Sequence, residues 1–138
     1  MMYESEELFI PYEQAVALKE LGFDKPCFFP FYQYSDRIDM IYADFSNWNA
    51  RETLVSAPLF DQVFDWFREK YNLNSWIENI SKEYVPKINE MMPKTLEDKY
   101  GSFLLLKYPE RYFTHRDAKV ACVEKLIEIV KLPSATTD

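Results

Sequence analysis

Residues 58–72 read PLFDQVFDWFREKYN, and this stretch decides the fold. Its composition predicts a helix that begins near Ser56 to Pro58, runs to about Tyr71 and stops at Asn72. Apolar side chains cover more than one narrow stripe of this helix, so we expect other elements to pack on more than one side of it. These apolar residues are Leu59, Phe60, Val63, Phe64, Trp66, Phe67 and Tyr71.

Two further helices are predicted on either side of this one. The first covers Tyr12 to Leu21, with Pro11 at the first helical position and Gly22 at the left-handed position after the last turn. The third spans about 115–131, where Thr114 provides the N-cap and apolar residues follow at helical spacing.

Strand patterns fill the intervals between the helices. Residues 26–45 are rich in aromatic and β-branched side chains, which predicts two strands that turn at Ser35-Asp36. Pro30 removes a ladder donor and makes the first of them an edge strand. In residues 73–80 and 84–88, apolar and polar side chains alternate only partially, which predicts two weaker strands.

The run from Gly101 to Tyr108 is the strongest strand pattern of the chain, and residues 89–99 before it are expected to form an exposed connection. We therefore predict a single α+β domain over 1–138 with a frayed tail at about 132–138. Three helices pack on a small antiparallel or mixed sheet of about four strands, in the order α-β-β-α-β-β-α.

The composition excludes several classes of enzyme and cofactor site. Two glycines in 138 residues cannot build the glycine-rich loops that cradle nucleotide phosphates. His115 and two cysteines far apart in the sequence supply at most three nitrogen or sulfur ligands, too few for a zinc finger. We expect no catalytic residue, no metal and no cofactor, and hence a protein that is not an enzyme.

The charge disfavours nucleic-acid binding, and the absence of membrane and secretion patterns indicates the cellular location. The net charge is −7, concentrated near the N-terminus, whereas a nucleic-acid-binding domain is usually basic. No window of eighteen apolar residues is present, and the first residues are acidic where a signal peptide would be basic. We expect a cytoplasmic protein without membrane association, whose cysteines stay reduced.

Aromatic residues make up 17% of the chain, and some of them should reach the surface. Tyrosine and tryptophan are enriched where proteins meet other proteins. Trp48 lies in a predicted loop and is either a lid over the core or a contact residue, while Phe31 and Tyr32 lie on the predicted edge strand. These three are the candidate partner-binding residues, for a protein partner or for a second copy in a homo-oligomer.

An alternative site lies in the segment 107–116, where cations and aromatic rings mix as they do in single-strand binders. Solvated charges on a strand that leads into a helix explain the same pattern, and Glu110 and Asp117 offset part of the basicity. The candidate nucleic-acid-binding residues are Lys107, Tyr108, Arg111, Tyr112 and Arg116.

Three segments carry a resemblance to a known family. They are Pro11-Tyr12-Glu13 at the start of the first helix, the run WFREKY at residues 66–71, and residues 121–131 with Ala121-Cys122 and the ending LIEIVK. Together they resemble a family of small proteins encoded by phages and prophages of gut anaerobes, to which no activity is assigned. The resemblance implies a phage or prophage origin and the cytoplasm of a bacterial host.

We expect a non-enzymatic protein that acts through protein–protein contacts. It either assembles with itself or uses its acidic surface to bind a host factor. A nucleic-acid-associated accessory protein that uses the segment 107–116 is the alternative.

Overall fold

Three helices and five strands make up the fold in the computed structural model, which describes residues 7–32, 34–41, 44–91, 102–104 and 110–131. In chain order they are α1 (Tyr12–Leu21), β1 (Pro30–Phe31), β2 (Val55–Ser56), α2 (Phe60–Tyr71), β3 (Leu73–Ile80), β4 (Glu83–Met91), β5 (Ser102–Leu104) and α3 (His115–Lys131). The predicted α+β class is confirmed. The strands form two antiparallel sheets, β1-β2 and β3-β4-β5, instead of one sheet of about four strands.

The chain divides into two compact units between Val63 and Phe64, inside helix α2. The single domain over 1–138 stays a prediction, and the tail at 132–138 lies outside the described residues.

Helix α1 ends as its sequence predicts. Gly22 adopts φ 95°, the N–H of Gly22 donates to the Lys19 carbonyl, and the N–H of Phe23 donates to the Leu18 carbonyl at 2.9 Å. These two bonds satisfy carbonyls that the last turn leaves open. At the other end Pro11 is the N-cap and not the first helical residue, since its ψ of 154° is extended.

Helix α2 begins at Phe60, later than the predicted start near Ser56 to Pro58. Ser56 belongs to β2, and the Pro58 carbonyl accepts the N–H of Ile10 at 3.1 Å, so neither residue is available to the helix. The side chain of Gln62 turns back to accept the Leu59 N–H at 2.9 Å, which caps the first turn. Asn72 ends the helix with φ 59°, as predicted.

Among the described residues of the predicted hairpin over 26–45, Pro30–Phe31 alone belong to a regular strand. The chain does turn near Ser35-Asp36, where Tyr32 N–H donates to the Arg37 carbonyl at 2.7 Å. The regular partner of β1 is β2, however, with Pro30 opposite Ser56. Pro30 has no N–H to give to a longer ladder, which limits β1 to two residues and leaves irregular chain around it.

Asn49 joins three segments of the first unit. Its Oδ1 accepts the Ser56 N–H at 2.8 Å, its own N–H donates to the Ser56 hydroxyl, and its Nδ2 donates to the Phe23 carbonyl at 3.0 Å. It lies in the 3-10 turn Trp48–Ala50. The amide side chain therefore supplies hydrogen bonds that a longer sheet would supply elsewhere.

Lys19 holds the chain that follows this turn. Its ammonium donates to the carbonyls of Arg51, Glu52 and Leu54 at 2.9, 3.1 and 2.6 Å. Three backbone acceptors on one cation fix the segment that leads into β2 against the last turn of α1.

The second unit contains the regular sheet. Strand β3 pairs with β4 along its whole length, from Leu73 opposite Glu90 to Ile80 opposite Glu83. Helix α3 packs against both strands, and its buried residues follow one stripe. The predicted third helix over 115–131 and its Thr114 cap are confirmed, because the Asp117 N–H donates to the Thr114 hydroxyl at 3.0 Å.

The remaining strand predictions are partly correct. Residues 73–80 and 84–88 do form strands, and β4 extends to Met91, so the predicted connection over 89–99 is wrong at its start. Asn89 and Glu90 pair with β5, which gives their backbone groups a partner despite the polar sequence. Of the predicted strand over 101–108, residues Ser102–Leu104 form β5 and residues 105–109 lie outside the described residues.

The turn between β3 and β4 places two non-glycine residues in a strained backbone conformation that glycine would relieve. Ser81 and Lys82 have φ of 49° and 69°, so both adopt the left-handed conformation that a two-residue hairpin of this hand requires and that Asn-Gly favours. We expect Lys82→Gly to raise the free energy of unfolding by about 1 kcal/mol in urea titration. The matched change Lys87→Gly, inside β4, should lower it by about 1 kcal/mol. Equal effects of the two changes would contradict this account of the turn.

Asn49 offers a second test of the fold. Asn49→Ala removes the hydrogen bonds to the buried Ser56 N–H and to the Phe23 carbonyl, which we expect to lower the free energy of unfolding by about 3 kcal/mol. The exposed Asn79 of β3 is the control, and Asn79→Ala should change stability by less than about 0.5 kcal/mol. Similar urea midpoints for the two variants would show that the amide does not join these segments.

Candidate functional site

A two-residue bridge organises the aromatic surface of the first unit. The N–H of Cys27 donates to the Ser46 carbonyl at 2.8 Å, and the N–H of Ser46 donates back at 3.1 Å. The indole Nε1 of Trp48 donates to the Cys27 carbonyl at 2.9 Å. Cys27 and Trp48 are both buried, so the bridge fixes which side of these two segments faces the core.

Phe28 and Phe45 follow and precede the bridged residues, and they point outward. Successive side chains of extended chain alternate between faces, so burial of Cys27 turns its neighbour Phe28 toward solvent. Phe28 is 49% exposed and Phe45 is 55% exposed, and their ring centroids lie 4.9 Å apart. The result is a pair of phenylalanine rings that meet each other at the surface.

Met40 and Ile41 are two further exposed apolar residues of this unit. The Asp39 N–H donates to the Pro30 carbonyl at 2.8 Å, which places the residues after Asp39 beside the segment that precedes Pro30. The Asp39 carboxylate accepts the Ile41 N–H at 3.1 Å, and Ile41 is 81% exposed. We call the four exposed residues Phe28, Met40, Ile41 and Phe45 the apolar patch.

The apolar patch is connected to the core through other rings. Phe28 lies 6.4 Å from Phe29 between centroids, and Phe29 lies 6.1 Å from the buried Phe9 in an edge-to-face contact. The Phe29 carbonyl also accepts the Ala57 N–H at 2.9 Å. Packed rings and backbone bonds thus hold the exposed pair in place.

The predicted partner-binding residues are placed unequally. Trp48 and Phe31 are 2% and 3% exposed, and the Phe31 ring packs edge-on against Tyr12 at 5.2 Å. Burial leaves neither side chain a surface to offer a partner, and Trp48 takes the position of a lid over the core. Tyr32 is exposed, and the strongly exposed Tyr34 follows it in the turn of the hairpin.

The apolar patch itself was missed by the sequence analysis. Residues 27–31 read CFFPF, and this run does not show which rings face inward. Two signals were available. Cys is among the most buried residue types, so period-two alternation from Cys27 predicts an outward Phe28. Asp39 and Asp44 beside the other patch residues indicate solvent-exposed chain.

The alternative nucleic-acid segment is neutralised where the structure describes it. Arg111 forms an ion pair with Glu83 at 3.4 Å, and Tyr112 donates its hydroxyl to Glu110 at 3.4 Å. Burial, together with the charge of Glu110, raises the pKa of Tyr112. The half-buried Arg116 lies in the first turn of α3, while Lys107 and Tyr108 lie outside the described residues.

The net charge of residues 110–117 is zero with His115 neutral, because two arginines meet one glutamate and one aspartate. Phosphate contact needs an excess of cations, which this part of the segment does not supply. Among residues 110–117, Phe113, with 82% of its surface exposed, has the character of a stacking platform.

Other site types find no support within the described part of the chain. No group of three or more His, Cys, Asp or Glu side chains there could hold a metal ion. None of its helices combines the length and the apolar composition that crossing a membrane requires. Burial raises the pKa of Cys27 and of Cys122 to about 12, so neither thiol is a reactive nucleophile near neutral pH.

Comparison of the chain with protein-family models, with curated proteins and with solved structures gave no match.

The two thiols predict a loss of stability at alkaline pH. Their folded-state pKa of about 12 exceeds the ordinary value of 9.0, so the unfolded chain releases these protons first and stability falls as pH rises from 9 toward 12. At one pH unit above the pKa of the unfolded chain, each thiol lowers the free energy of unfolding by about 1.4 kcal/mol. Between about pH 8 and about pH 10 we expect Cys122→Ala to lose about 1.4 kcal/mol less than the unchanged protein in urea titration. Equal losses would contradict the burial of this thiol.

Proposed function

We propose that this chain is a non-enzymatic protein that acts through protein–protein contacts made by the apolar patch of its first unit. The observation that supports the proposal is the exposed ring pair Phe28 and Phe45, which the Cys27–Ser46 bridge holds outward. Folding gains nothing from the exposed half of each ring, because burial of apolar surface is what stabilises a fold. A partner that covers the patch would recover that free energy.

The size of the patch fits a binding surface. Taking about 200 Å² for a large side chain, its exposed fractions amount to on the order of 450 Å². A continuous apolar patch of about 300–600 Å² is the largest that typical monomers expose, and it is often functional. With the resemblance to phage and prophage proteins, the partner is proposed to be a protein of the bacterial host or a second copy, in the host cytoplasm.

Pull-down from bacterial lysate tests this function. We expect the tagged protein to retain a partner after nuclease treatment, and the double variant Phe28→Ser/Phe45→Ser to lose it. The buried halves of the two rings contribute on the order of 2 kcal/mol to stability, so the variant should melt several degrees lower but still cooperatively. Phe113→Ser in the second unit is the matched control, because it removes an equally apolar ring that lies outside the patch.

Two results would count against the proposal. Equal recovery with all three proteins would remove the patch from the function. Recovery of material that nuclease releases, lost on Phe113→Ser, would favour the nucleic-acid alternative. Such binding should also weaken steeply with salt, which a gel shift at low and high salt would reveal.

A further inference from the structure

We infer that the apolar patch binds a short basic segment of a partner protein, in which lysines or arginines flank one or two apolar anchor residues. The inference rests on the proposed function and specifies the chemistry of its partner. Two properties of the patch, its charge surroundings and its area, carry the argument.

The surroundings of the patch are acidic. Asp44 precedes Phe45, Asp39 precedes Met40, and Asp36 lies in the adjoining hairpin turn, against the single cation Arg37. The whole stretch 28–45 therefore carries a net charge of −2. An apolar residue anchored on the outer face of the touching rings would bring the flanks of the bound segment toward Asp44, the neighbour of Phe45 in the sequence.

The described part of the first unit is also negatively charged as a whole. Residues 7–63 contain nine Asp and Glu against four Lys and Arg, for a net charge of −5. Two of these cations are engaged within the unit. The Lys19 ammonium donates to three backbone carbonyls, and the Arg51 guanidinium lies 5.6 Å from the Trp48 ring centroid. The field at the patch attracts cations and speeds their encounter with it.

A second copy of the chain fits this surface less well. Two copies that meet through their patches would bring the same aspartates face to face, and like charges opposed across an interface are unfavourable. The patch also offers on the order of 450 Å², whereas a stable interface between folded proteins buries about 800 Å² on each partner. A short segment with flanking cations suits both the charge and the area.

Selection from a library of random short peptides tests the inference. The unchanged protein is the bait, and the Phe28→Ser/Phe45→Ser variant removes peptides that bind elsewhere. We expect enriched peptides to carry lysine or arginine on both sides of leucine, isoleucine, methionine or an aromatic residue.

Fluorescence anisotropy with one enriched peptide then measures how much each patch residue contributes to the binding affinity. Phe28→Ser and Phe45→Ser should each weaken binding about tenfold, as expected for loss of one half-buried ring contact. Asp44→Asn should weaken it about threefold at low salt and much less at high salt, because exposed charge pairs are screened. Phe113→Ser, the matched control, should leave the affinity unchanged.

The outcomes separate the two levels of the argument. Patch-dependent peptides without cations would overturn the basic partner and leave protein contact by the patch intact. Absence of any patch-dependent peptide would overturn the basic segment, and the lysate pull-down with the Phe28→Ser/Phe45→Ser variant would then decide protein contact by the patch. A dimer in sedimentation velocity that Phe45→Ser converts to a monomer would also overturn the basic segment, in favour of a second copy.

Discussion

The reciprocal hydrogen bonds between Cys27 and Ser46 are the constraint on which the surface of the first unit depends. The Cys27 carbonyl accepts both the Ser46 N–H and the Trp48 indole N–H, so it ties two distant segments and the largest side chain of the loop to one atom. Burial of Cys27 and Trp48 on one side of these segments leaves Phe28 and Phe45 on the other. The exposed ring pair is thus a direct consequence of how the core is closed.

The two units use their apolar residues differently. In the second unit, strand β4 lies between β3 and β5, and α3 buries Ala118, Cys122 and Leu126 toward the sheet. Regular strands there satisfy the backbone, and apolar side chains are free to face the helix. In the first unit, the side chains of Asn49 and Lys19 satisfy several backbone groups, and several apolar side chains remain outside. Folding of that unit gains nothing from these exposed rings, and the proposed protein contact would cover them.

The sequence predicted the helices well because their signals are local. Gly22, Asn72 and Thr114 each end or begin a helix through bonds to residues within one or two turns. The β1-β2 sheet could not be predicted in the same way, since it depends on Asn49 reaching Ser56 and on a proline that shortens the strand.

The candidate site was predicted only in outline, as a surface that contains aromatic residues. Trp48 and Tyr32 carry equally strong interface propensities in the sequence, and only tertiary contact decides between them. The Trp48 indole meets a carbonyl 21 residues away and is buried, while Tyr32 stays exposed. The patch residues Phe28 and Phe45 are 17 positions apart, and the bridge that makes them neighbours has no local sequence signal.

Hydroxyl-radical footprinting read by mass spectrometry tests the central claim most directly, because it measures the accessibility of each ring in the intact chain. The account predicts rapid oxidation of Phe28, Met40 and Phe45 in the free protein, against slow oxidation of the buried Phe23 and Trp48. It further predicts that a bound partner protects the first three while Phe113 remains reactive. Slow oxidation of Phe28 and Phe45 in the free protein, or protection confined to the second unit, would contradict the account.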